Sequence, residues 1–292
     1  MLYQVRHKTR FRYAFPVSFA RCNLRLQPVE WAGQTLEHYE LELSPSAHVT
    51  GTRPIGYLGN VTRMVVDRPS RELSIESSFR IRVDRPVPEP RADDPAIGEI
   101  AMLARTTADM GVESPANYIY PSLSIPLSSE ITAWCSEHLD SHRAIVEAGL
   151  ALATRIHDRF TYDGSATTVD TTPAEAFEKR HGVCQDFAQI MIAGLRGVGL
   201  PAAYVSGYLR TVPPPGKPRL VGADATHAWV VIWCGPDRGW LGFDPTNACM
   251  VGSDHIITAM GRDYADVAPI DGVFTGQDGQ KIDVSVDVEP ME

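Results

Sequence analysis

The sequence predicts an α+β protein, in which a β-rich first region is followed by helices and then by further strands. Three observations predict it. Short alternating runs fill residues 1 to about 86, a proline-rich stretch follows at Arg85–Arg91, and helical periodicity from 128 to 198 gives way to strand-like patterns.

The alternating runs include Leu41-Glu42-Leu43, Thr62–Val66 and Leu73–Ser77, with punctuation at Leu58-Gly59-Asn60 and Arg68-Pro69-Ser70. They predict an antiparallel sandwich or barrel. Arg85-Pro86-Val87-Pro88-Glu89-Pro90-Arg91 cannot supply regular ladder donors and reads as a linker. The expected division is therefore an N-terminal β domain over 1–88 and a second domain over 89–292 that ends in a strand.

Within 92–126, Pro115, Pro121 and Pro126 limit any helix to short pieces. A helix is expected from Ser128 or Ser129 to about His142, with Ile131, Trp134, Cys135, His138 and Leu139 on one face. Another runs from about Ala144 to Phe160. Tyr162 then leads into the polar loop Asp163–Thr168. Thr172-Pro173-Ala174-Glu175 opens a short helix: Thr172 caps, Pro173 suits the first position and Glu175 closes a capping box.

Gly182 permits a sharp turn into the next helix, on which Cys184, Phe187, Ala188, Met191, Leu195 and Val198 share a face. Gly199 is the expected stop, with Pro201 beyond it. Strands follow at 202–209, 227–234 and 239–243. Pro213–Gly216 divides the first two, and Gly235–Gly239 turns between the second and third. Residues 281–288 alternate as one last half-buried strand.

With 292 residues and a hydrophobic fraction of 43%, the chain can bury a substantial core. A net charge of −9 with scattered Lys and Arg argues against nucleic acid or an anionic membrane as partner. The first residues alternate at once and form no apolar leader, and no run of about 20 apolar residues occurs. Five widely spaced cysteines without C-x-x-C suggest a reducing cytoplasm rather than disulfides or a zinc cage.

The chemistry concentrates at Gly182-Val183-Cys184-Gln185-Asp186. A cysteine in the first helical turn faces backbone N–H groups without helical partners and the positive end of the dipole, which favour the nucleophilic thiolate. His227 opens a strand and Asp244 closes another. A short turn makes those strands antiparallel neighbours, so the two residues approach although distant in sequence. Pairing Cys234 with Trp240 would set Asn247 opposite His227, so a His227–Asp244 contact calls for a register about three residues different, or a bulge.

Cys184, His227 and Asp244 are thus candidate nucleophile, acid–base and orienting carboxylate. The Cys184 N–H is a candidate oxyanion donor, and Tyr162 and Gln185 are candidate substrate or oxyanion contacts. Cys22, Cys135 and Cys234 read as core, Cys249 as exposed, and His181 as a surface residue. A zinc site from Cys184, His181 and His227 lacks the paired short spacings of such sites.

Arg180–Ala188, Leu195–Ala202, Val205-Ser206-Gly207-Tyr208, Thr226–Val230 and Gly239–Asn247 together resemble the bacterial transglutaminase-like superfamily, whose members are often described as cysteine proteases. The N-terminal region is similar to the β-rich domain that precedes its core, through Tyr13, Pro16-Val17, Leu24–Pro28 and Gly59-Asn60. Gly261–Val267 extends the match. Gln189 departs from it, standing where relatives often carry histidine. The resemblance implies a papain-like core with the cysteine helix packed on an antiparallel sheet, and a triad of Cys184, His227 and Asp244. It also implies a thioester intermediate resolved by water or by an amine. The implied substrate is a peptide or protein. No calcium loop like those of animal transglutaminases is visible, so no metal and no cofactor is expected.

Overall fold

In a computed structural model of the 292-residue chain, residues 1–54, 57–211, 226–276 and 279–291 are described. The N-terminal strands are β1 (Leu2–Val17), β2 (Phe19–Leu24), β3 (Gln34–Ser44), β4 (His48–Val49), β5 (Arg53–Pro54), β6 (Asn60–Val66) and β7 (Ser70–Val83). The middle of the chain holds α1 (Ile97–Thr106), α2 (Ser129–Ser136), α3 (Ile145–Arg159), β8 (Thr161–Tyr162), α4 (Pro173–Lys179), β9 (His181–Gly182) and α5 (Cys184–Gly197). It continues through β10 (Ala202–Leu209), β11 (Thr226–Trp233), β12 (Trp240–Asp244), β13 (Cys249–Met250), β14 (His255–Gly261) and α6 (Tyr264–Val267). The last strands are β15 (Ile270–Thr275) and β16 (Gln280–Met291). The expected Pro213–Gly216 loop lies outside the described residues.

Two antiparallel sheets, ordered β16-β1-β7-β3 and β15-β2-β6-β4, form the β domain. Their strands alternate because one face of each is buried: in β1, Tyr3 and Val5 are inaccessible, while Arg6 and Arg10 face water. The final strand does not join the second domain, as the sequence suggested. It pairs with β1 from Leu2↔Met291 to Tyr13↔Gln280, and β15 likewise pairs with β2. Alternation reveals that a strand is half-buried but not which sheet receives it, and this partner lies at the opposite end of the chain.

The third sheet, β13-β12-β11-β10-β14, carries helices on one side and segments of the β domain on the other. Along β11, Ala228, Val230 and Ile232 pack toward α5, while Trp229 and Val231 pack with Val29, Tyr118 and Ile257. Burial on both faces explains why β10 to β12 read as nearly continuous apolar runs. Helix α5 is similarly enclosed. Residues 186–196 are all buried, so the single apolar face expected from its spacing understates its burial. It ends at Gly197, and Gly199 supplies the left-handed turn with φ +82°.

Several bonds fasten the β domain to this sheet. Gln34 donates to the Ile257 carbonyl at 2.8 Å and accepts from the Ile257 N–H at 2.9 Å. His7 Nδ1 meets the Tyr208 hydroxyl at 2.8 Å in a buried contact. The proline-rich stretch is no free tether. Arg85 N donates to Ser253 Oγ at 3.1 Å, and its guanidinium reaches the His255 carbonyl at 3.1 Å.

Candidate active site

Cys184 occupies the first position of α5, after Val183 in extended conformation. Valine offers no side-chain acceptor, so the tip is held from the other direction. Buried Asp186 accepts from the Val183 N–H at 2.8 Å and from the Thr167 hydroxyl at 2.7 Å. Gly182 is required here, since a Cβ would lie 2.6 Å from Asp186 Oδ2 and 2.8 Å from its Cβ. Upstream, Arg180 adopts φ 57°, with its guanidinium 3.8 Å from the Phe177 ring centroid and 4.9 Å from that of Phe160. This packing fixes the turn that delivers the cysteine.

His227 and Asp244 sit on neighbouring strands. The register runs from Val230↔Phe243 to Trp233↔Trp240 without a bulge, one residue from the simple hairpin rather than three. Asp244 therefore stands level with Trp229, diagonal to His227 on the same face, and the two side chains close the gap. His227 Nε2 lies 2.8 Å from Asp244 Oδ2. A carboxylate only accepts, so Nε2 carries the proton and Nδ1 remains free to face the Cys184 sulfur, whose charge acts on this ring. Burial lowers the His227 pKa, but the bonds and charges of Asp244 and Cys184 outweigh it and raise the value to about 10.

Asp244 is fully buried and receives donors on both oxygens. Thr246 N and Asn247 N reach Oδ1 at 2.9 and 3.1 Å. Asn247 Nδ2 and His255 Nε2 reach Oδ2 at 2.7 and 3.2 Å. Burial raises this carboxyl's pKa, and the bonds from His227, His255 and Asn247 reverse the effect and hold it well below the usual range. Sequence reasoning missed His255 and Asn247. The Asp-Pro-Thr-Asn turn was a signal for Asn247. His255 carried none, because β14 itself was not anticipated.

The structure places Tyr162 beside the cysteine segment, where β8 pairs Tyr162 with Gly182. Its ring is exposed and edges onto Phe187 with centroids 6.3 Å apart. Burial and the charge of Cys184 raise its phenol, and the same sulfur acts on buried Tyr204 and half-buried Tyr264, which the sequence did not suggest. Gln185 Nε2 is committed to the Val169 carbonyl at 3.1 Å. His181 is exposed, 3.8 Å from Asp163.

All five cysteines are free thiols. Burial pushes Cys22 and Cys249 up to about 11 and Cys135 to about 12, and raises Cys234 still further. Cys249 is half-buried rather than exposed. Ligand atoms of His227, Asp244 and His255 lie within 4.8 Å of one another, close enough for a cation, although they already satisfy each other by hydrogen bonds.

The family model "Bacterial transglutaminase-like N-terminal region" matches residues 3–82, and "Transglutaminase-like superfamily" matches residues 127–245. An uncharacterized protein of Mycobacterium tuberculosis is 38% identical over 297 residues, covering 99% of this chain and 93% of its own length. A protein-glutamine gamma-glutamyltransferase of Pseudomonas aeruginosa is 39% identical over 93 residues, which is 31% of this chain and 14% of that protein. The crystal structure of a provisionally named cysteine protease from Cytophaga hutchinsonii superimposes with a TM-score of 0.79 at 17% identity, covering 100% of this chain and 92% of that one.

Proposed function

The chain belongs to the bacterial transglutaminase-like superfamily, and from that premise we propose that Cys184, His227 and Asp244 act as a thiol acyl-transfer triad. One observation carries this reading: the buried Asp244 carboxylate holds the His227 ring at 2.8 Å, and the charge of Cys184, at the first position of α5, acts on the same ring.

In the proposed reaction Cys184 passes its proton to His227 Nδ1, and the resulting thiolate attacks the carbonyl carbon of an amide, forming a C–S bond as the carbonyl π bond opens onto oxygen. The Cys184 N–H at the tip of α5 donates to the developing oxyanion, and the Tyr162 phenol is the second donor. Gln185 shapes the same rim through its bond to the loop at Val169. His227 gives its Nδ1 proton to the leaving amine as the C–N bond breaks, leaving a thioester. It then takes a proton from water, whose oxygen attacks the thioester and releases the acid and the thiolate. Asp244 keeps the ring in one tautomer throughout.

Hydrolysis of peptide or isopeptide amides in a peptide or protein substrate is the leading form, with no metal or cofactor required. Transfer to an amine is the second, favoured by the local similarity to the Pseudomonas glutamyltransferase. Free thiols throughout support a reducing, cytoplasmic setting. Among the described residues, no helix is long and apolar enough to cross a membrane.

Incubating the protein with a glutamine-containing peptide and a labelled primary amine tests both forms. Cleavage of the peptide into acid and amine fragments, or ammonia release from its glutamine, without label and abolished by Cys184→Ala, supports hydrolysis. Label incorporation establishes transfer, and turnover that survives Cys184→Ala overturns the triad.

A further inference from the structure

We propose that His255 is a positioning residue for this site, a second imidazole that clamps Asp244 in the orientation His227 needs. The inference rests on the triad reading and extends it to a strand outside the family-matched segment, which ends at residue 245.

Five donors converge on Asp244, but they are not equivalent. Thr246 N, Asn247 N and Asn247 Nδ2 belong to the turn that follows Asp244, so they move with it. His227 is the group being oriented. Among the described residues, His255 alone anchors the carboxylate from a different part of the sheet. It opens β14, next to the end of β10, where it pairs with Leu209. Its Nε2 lies 3.2 Å from the same Oδ2 that holds His227. Because that oxygen only accepts, Nε2 of His255 is the protonated, donating nitrogen.

The surroundings hold His255 in place. The ring stands edge-on to Trp229, with centroids 5.2 Å apart, and is 5% exposed. Its carbonyl accepts from Arg85, and its N–H donates to the Gly252 carbonyl at 3.2 Å. Its Nδ1 has no partner among the described residues, so the polar function of the ring is spent on Asp244. A donor from β14 on the oxygen that also receives His227 and Asn247 opposes rotation of the carboxylate and keeps it charged.

The test compares His255→Phe, which keeps a planar ring without the N–H, with His255→Gln, which keeps a donor. His255→Met replaces the first variant if Phe does not fold. The readouts are the iodoacetamide alkylation rate of Cys184 against pH and the His227 titration followed by NMR, with Asp244→Asn in parallel. The donor-free variant should stay folded, alkylate about 10- to 100-fold more slowly near pH 6.5, and show His227 titrating at lower pH. Gln should restore most of both. A folded donor-free variant with unchanged alkylation and titration overturns the proposal, as does equal impairment of Gln and Phe. If Asp244→Asn leaves both readouts unchanged, the triad itself is wrong and this proposal falls with it. If Asp244→Asn is impaired and His255→Phe is not, only the role of His255 is lost.

Discussion

Asp244 and His227 meet diagonally across two strands rather than face to face, and their 2.8 Å contact is made without a bulge. The chain turns back directly after Asp244. The backbone N–H groups of Thr246 and Asn247 are therefore spent on the carboxylate instead of extending the ladder past His227. Replacing Asp244 by Asn should leave the strands paired but orient the imidazole wrongly. Turnover is expected to fall on the order of 10³–10⁴-fold, and the His227 titration to drop from about 10 toward its ordinary value. Steady-state kinetics and NMR titration check the two effects separately.

The same pair makes stability depend on pH. His227 titrates higher folded than its ordinary 6.5, so its contribution is complete below pH 6.5 and fades as pH rises toward 10. Asp244 is depressed below its ordinary 3.8, so its contribution holds above that value and is lost in stronger acid. The stability gap between the native protein and Asp244→Asn should therefore be widest between about pH 4 and 6.5 and shrink by pH 10. Urea unfolding across that range measures it.

His7 behaves oppositely. Burial against Tyr208 and Thr9 lowers its pKa from 6.5 to about 4. The unfolded chain therefore binds the proton first, and stability falls as pH drops from 6.5 to 4, by about 3 kcal/mol at the lower end. Because His7 joins β1 to β10, acid should loosen the β domain from the third sheet. His7→Gln should flatten this part of the profile, as followed by hydrogen exchange at the Gln34–Ile257 bonds.

Gly207 lies opposite His227 on one side and Ile257 on the other. A methyl group there would sit 2.0 Å from the Ile256 carbonyl oxygen and 2.6 Å from the Trp229 ring. Gly207→Ala should cost about 1–3 kcal/mol or more, because backbone must shift, and should displace the Trp229 indole. Denaturant unfolding and tryptophan fluorescence read these effects.

The helix start at Thr172 was legible because capping is local chemistry: Thr172 and Glu175 make the reciprocal bonds their spacing implies. Cys184 was legible for a similar reason, since Gly182 and the polar residues after the cysteine mark a helix tip. What the sequence concealed was non-local. Val286 and Val288 alternate like any half-buried strand, yet their partner strand begins at Leu2. The apolar run at Ile256–Met260 has no alternation because both faces of the third sheet are covered, so β14 and the histidine that opens it passed unnoticed. The His227–Asp244 register was misjudged by assuming that paired functional residues must stand opposite, whereas same-face diagonal neighbours suffice.

The alkylation rate of Cys184 relative to Cys249, measured by peptide mapping after brief iodoacetamide exposure at pH 7, decides whether Cys184 is an activated nucleophile. Cys249 is a half-buried thiol pushed up to about 11 by burial and the charge of Asp244, so it serves as the unactivated reference. Cys184 should be modified first, and His227→Ala should slow it toward the Cys249 rate. Equal rates at the two cysteines in the native protein would mean that Cys184 is not activated and that the triad does not operate.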